Sequence, residues 1–150
     1  MLRFISLAAL TLAAFAGTAY AEPGTHSVLA TPDGTVKGIV EVSPTAHDVL
    51  APDTFDVQGT VNVHDLAPNT DYKVLRWVDL TPDGSCTGTV RLLPGNPTLT
   101  TSAGGAGALH FEISSTTIAD GTSFDVIWRV VDAATGATVL ESACLTVTAK

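Results

Sequence analysis

The residues of this chain best suited to hold a ligand are two tryptophans, each beside an arginine: Arg76-Trp77 and Trp128-Arg129. Together with Arg91 they form a candidate ligand-binding set that would rim a crevice between two sheets. The competing reading makes each tryptophan a core residue of its sheet with the arginine on the outer face, and that is the arrangement expected. Four histidines, His26, His47, His64 and His110, show no H-x-H or H-x-x-x-H spacing. His47-Asp48 and His64-Asp65 are adjacent pairs, and neighbours on a strand point to opposite faces, so they read as solvated strand-end residues and not as metal ligands. A serine hydrolase places its nucleophile at an elbow such as G-x-S-x-G, which Gly84-Ser-Cys-Thr-Gly88 does not match. Gly104-Gly-Ala-Gly107 precedes a strand-like stretch and lacks the following helix that a phosphate loop requires. The acids Asp33, Asp48, Asp53, Asp56, Asp83, Asp120 and Asp132 lack the spacing of a calcium loop, and turn chemistry explains each. No catalytic residue, metal ligand or cofactor is assigned.

What must position these residues is an exported chain. Met1-Leu-Arg3, an apolar run from Phe4 to Ala16 and the small-x-small site Ala19-Tyr-Ala21 make a secretory signal peptide over 1–21. The run is shorter than the roughly 20 apolar residues of a membrane span. The mature chain is expected to be secreted, extracellular or periplasmic, without membrane attachment. Cys86 and Cys144 are an even pair in such a chain, so one disulfide is expected. Removing Arg3 from the seven basic residues leaves six against 15 acids, a net charge of −9. Dispersed acids oppose binding to nucleic acid, which needs basic clusters.

Residues 22–34 are rich in Gly, Ser, Thr and Pro and read as a loose mature N-terminus, ending in the turn signal Thr31-Pro-Asp-Gly34. One domain is expected over 35–150. Its first strand spans Thr35–Val42. In the second, Phe55, Val57, Gly59, Val61 and Val63 share one face and Asp56, Gln58, Thr60, Asn62 and His64 the other, the mark of a half-buried strand. After Tyr72, apolar residues fall on both faces. Shorter strands follow at Cys86–Leu93 and Thr98–Thr101. Leu109, Phe111 and Ile113 alternate with polar residues, Phe124–Val131 is strongly β-prone, Asp132-Ala-Ala-Thr-Gly136 is a hairpin signal, and Thr138–Thr148 closes the chain. Seven or eight short strands with Gly/Pro turns imply an all-β antiparallel sandwich.

One corner occurs twice. Leu66-Ala-Pro-Asn-Thr-Asp-Tyr72 and Ile118-Ala-Asp-Gly-Thr-Ser-Phe124 both follow an alternating strand and precede a strand carrying adjacent Trp and Arg. Shared sandwich grammar explains this more simply than duplication. Leu66-x-Pro68-x-Thr70-x-Tyr72 resembles the corner of fibronectin type III domains and, more loosely, the tyrosine corner of immunoglobulin-like sandwiches. Strand counting gives the penultimate-strand role to Ile118–Phe124 and makes Leu66–Tyr72 the join of the second and third strands. The chain also looks like small exported immunoglobulin-like proteins of the neocarzinostatin type, although it can make only one long-range bridge where those make two short ones. The resemblance implies an immunoglobulin-like β-sandwich; a fold carries no function by itself.

The expectation is a secreted, non-enzymatic β-sandwich protein with a structural or binding role, its partner a protein or a small molecule. A small-ligand carrier with a crevice between the sheets, as the neocarzinostatin resemblance implies, is the first alternative. A hydrolase or metal-binding protein whose site is built from distant residues is the second.

Overall fold

The computed structural model describes residues 25–44, 55–115, 118–119 and 121–149. Within them lie ten strands: β1 (Thr25–Ala30), β2 (Val36–Pro44), β3 (Phe55–Val63), β4 (Asp71–Asp79), β5 (Thr89–Leu92), β6 (Leu99–Thr100), β7 (Gly107–Ser115), β8 (Ser123–Asp132), β9 (Thr138–Ser142) and β10 (Leu145–Thr148). The fold is all-β and antiparallel. Residues 1–24, which include the signal peptide expected over 1–21, and residues 45–54, with His47, Asp48 and Asp53, lie outside the described residues, as does Asp120.

The loose terminus expected over 22–34 gives way to a strand at Thr25–Ala30. Ser27 and Leu29 point inward and are buried while His26 and Val28 face solvent, and β1 pairs with β2 through six residue pairs. A polar residue at one inward position had hidden the period. The following Thr31-Pro-Asp-Gly34 is the turn its composition implies: the Gly34 amide donates to the Thr31 carbonyl, and Gly34 takes φ +86°.

Seven or eight strands become ten, joined in one sheet of order β5-β4-β8-β9-β1-β2-β3-β7, with β6 beside β4 and β10 beside β8. The sheet curls into a half-barrel over one core. Phe111 of β7 and Trp128 of β8 stand five places apart in that order, yet their ring centroids lie 5.4 Å apart. The core draws on both halves: Leu29, Val40, Val57, Val61 and Val63 from one, Tyr72, Val74, Val126, Val130 and Leu140 from the other. In β3 the alternation reads out as expected, with Val57, Gly59, Val61 and Val63 buried. Gly59 is required there: a Cβ would stand 2.2 Å from the Phe111 ring that packs on it.

Both corners open a strand with a buried aromatic, Tyr72 in β4 and Phe124 in β8. They also share a backbone feature. Asn69 (φ +48°) and Gly121 (φ +77°) hold equivalent positions, each three residues before the aromatic, and both are left-handed. The first corner is tied to the loop after β6: the Thr101 hydroxyl donates to the Ala67 carbonyl at 2.6 Å and accepts from the Thr70 amide at 3.0 Å. The second is tied to the C-terminal strand through the Gly121 amide and the Ala149 carbonyl at 2.9 Å.

The final strand read over Thr138–Thr148 is interrupted at Ala143–Cys144, where Cys144 bridges to Cys86. The disulfide pins the loop between β4 and β5 against that break. Beneath it lies Asp125, fully buried, whose carboxylate accepts from the Gly84 amide and from the Thr146 hydroxyl.

Candidate functional site

β4 settles where the candidate residues go. Tyr72, Val74 and Val78 face the core, so Arg76, between them in the period of two, faces it as well, and Trp77 faces out. Registration carries this parity across the neighbours. Arg76 pairs with Arg91 on β5 and with Trp128 on β8. Trp77 pairs with Val90 and Ile127, and Leu75 with Leu92 and Arg129. The candidate set is therefore split by the sheet: Arg76, Arg91 and Trp128 share the inner face, Trp77 and Arg129 the outer. The two tryptophans do not line one crevice. Trp128 is 4% exposed and packs on Phe111, as a core tryptophan does. Trp77 is half-buried on the outside, with the Arg129 guanidinium 4.1 Å over its ring. Arg129 also ion-pairs with Glu141 of β9, its cross-strand partner.

β5 is inverted relative to a reading by residue type. Thr89-Val-Arg-Leu92 would ordinarily turn Val90 and Leu92 inward, yet its register with β4 puts Arg91 on the core side and leaves Val90 47% and Leu92 57% exposed. Gly88 allows the approach: a Cβ there would meet the Val78 carbonyl oxygen at 2.1 Å. Leu93, buried just beyond, and the Cys86–Cys144 bridge hold the two ends. The outer face of β4–β5 thus carries Val90 and Leu92 beside half-buried Leu75 and Trp77. Sequence reasoning missed Val90, Leu92 and Leu75; the available signal was that β5 is short and follows a disulfide cysteine, which fixes its register from outside the strand.

On the inner face, Arg76 Nη1 is buried without a hydrogen-bond partner among the described residues. Burial, and after it the facing Arg91, push the Arg76 guanidinium down to about 10.

The remaining candidates disperse. Asp33, Asp83 and Asp132 each stay below the usual carboxylate range because they hold their own turns, accepting chiefly from Thr31, Ser85 and Thr135 respectively. His26 is exposed on β1, and His110 contacts the Thr60 hydroxyl at 3.2 Å. His64 does meet its neighbour, Nδ1 standing 3.0 Å from Asp65 Oδ2, contrary to the opposite-face expectation. The reason is local: Asp65 has left the strand with φ +54°. Among the described residues no three His, Cys, Asp or Glu side chains gather as a metal site would need. An open cavity of about 340 Å³ lies where β1 meets β9, lined by Ala30, Pro32, Leu140 and Glu141 among others. Its one charged side chain, Glu141, is engaged by Arg129.

No protein-family model and no curated protein matches this sequence. Among solved structures the chain is similar to two mutants of a SOD-like protein from Bacillus subtilis. A single mutant is 13% identical over 79% of this chain and 95% of that chain, with a TM-score of 0.43. A double mutant is 14% identical over 80% of this chain and 96% of that chain, with a TM-score of 0.46. These likenesses assign no residue a role.

Proposed function

We propose that this protein is an exported, non-catalytic binding module that takes an extended segment of a partner protein along β5. The observation that carries the reading is the exposed apolar pair Val90 and Leu92 on a strand at the end of the sheet order. An edge strand offers backbone donors and acceptors, and alternate side chains beside it give specificity. Leu75 and Trp77 extend the apolar surface inward from that edge. Export is part of the proposal: it is supported by the leader read at 1–21 and by the Cys86–Cys144 bridge, which suits an oxidising compartment. So is kinship with immunoglobulin-like sandwiches, supported by the buried aromatics that open β4 and β8.

A photo-crosslinking residue in place of Leu92 tests the reading in the native host. It is expected to trap one protein, identified by mass spectrometry, and the same residue in place of Asn62, exposed on β3, is expected to trap none. Adding Val90→Lys should abolish the adduct while changing stability by no more than about 0.5 kcal/mol, as for surface substitutions generally. Equal adducts from both positions, or none from Leu92, would refute the edge as a docking strand.

A further inference from the structure

Arg76 is hemmed by apolar groups on three sides. Val74 and Val78 flank it along β4, and Trp128 faces it across β8. On the fourth side stands another cation, Arg91, its register partner on β5. Like charges directly opposite on paired strands are destabilising, and a shielded guanidinium nitrogen with no acceptor adds a desolvation cost. Among the described residues no carboxylate relieves either group, and the arginine–carboxylate pair found in that sheet half is Arg129–Glu141, on the outer face. The depressed pKa of Arg76 has the same origin, a charge held against burial and against its neighbour.

Solvent accounts for the charge of Arg91, which is exposed on the edge strand. It does not account for Arg76, because β4 is covered on both sides, by β5 and by β8. Arg76 lacks an acceptor and Arg91 is the cation that faces it, so one anion placed between them would answer both. We propose that Arg76 and Arg91 form a binding site for a small oxyanion of the phosphate, sulfate or carboxylate class, held between the two guanidiniums at the inner edge of β4–β5. Guanidinium forks match the paired oxygens of such anions. One bound oxygen supplies the acceptor that Arg76 Nη1 lacks, and the anion's charge replaces repulsion between the arginines with a shared attraction. The site lies on the face opposite Val90 and Leu92, so this inference does not rest on the partner-binding reading, and either can fail alone.

The test adds inorganic phosphate, inorganic sulfate or acetate separately to the whole exported chain at constant ionic strength. The readouts are the arginine side-chain NMR resonances and the unfolding midpoint. At least one anion is expected to shift the Arg76 and Arg91 signals saturably and to raise the midpoint. Arg91→Gln, at an exposed position that should fold normally, is expected to weaken that binding by about tenfold or more. Lys37→Gln, on β2, should leave it unchanged. The anion that saturates at the lowest concentration identifies the class. Three anions that give no saturable shift, or Arg91→Gln binding as tightly as the parent, would overturn the proposal, as would an equal loss in Lys37→Gln.

Discussion

Replacing both Cys86 and Cys144 with serine is expected to lower the free energy of unfolding by about 4 kcal/mol. The bridge joins positions 58 apart in the chain, and closing a loop of that length in the unfolded state has roughly this value in the chain-entropy model. The folded state adds a second reason. Cys86 is buried with a left-handed backbone (φ +49°), and the loop it anchors brings the Gly84 amide to Asp125. Without the bridge that loop is free to lift, and a fully buried carboxylate loses a donor. Urea unfolding of the oxidised parent and the double variant measures the effect as a shift in midpoint. A loss below about 1 kcal/mol would mean that the loop's own contacts hold it and that the cross-link adds little to this fold.

Trp128→Ala is expected to be of similar severity, costing about 3–5 kcal/mol by the precedent of large core truncations. Trp128 stands where the two halves of the sheet meet, its ring against Phe111, and its own amide donates to the Ser142 hydroxyl at 3.0 Å. Deleting the indole opens a cavity beside Phe111 and Arg76 at once. Trp77→Ala serves as the internal comparison, since it removes the same side chain from the outer face. There the losses are partial burial and the contact with Arg129, and about 1–2 kcal/mol is expected. Equilibrium denaturation of the two variants compares them directly. Equal losses would contradict the assignment of Trp128 to the core and Trp77 to the surface. Where Trp128→Ala does not accumulate, Trp128→Phe is expected to show an intermediate loss.

The residues show why some of this could be read from sequence and some could not. β3 was legible because one of its faces is apolar and the other polar throughout, so a single strand reports its own orientation. The hairpin at Asp132–Gly136 was legible because a turn is local: Asp132 accepts from the Ala134 and Thr135 amides, and Gly136 takes φ +74°. β1 was missed because its inward positions are Ser27 and Leu29, and one apolar residue in two gives no period. The arrangement of the candidate site was hidden for a different reason. Which way Arg91 points depends on its register with β4, and that is decided by Gly88, by Leu93 and by a bridge to a residue 58 positions away, not by Thr89-Val-Arg-Leu92 itself. Arg76 resisted reading because a basic residue in a period of valines suggests a register fault before it suggests an inward charge.

The way β1 joins the sheet has its own consequence. β3 and β7 are paired through nine residue pairs, β4 and β8 through eight, but β1 meets β9 through only two, Leu29 with Ser142 and Ala30 with Glu141. The protein is therefore two half-shells sewn along a short seam, with the open cavity lying directly on it. Native opening should begin there, since so few backbone bonds must break, and the amides that bond across the β1–β9 seam should exchange with solvent sooner than those of Val57–Val63. The same seam orders folding. One half-shell is built on β1–β3 and β7 and the other around β8 and β9, so pairing of β1 with β9 is expected late in folding, after the more extensive ladders within each half.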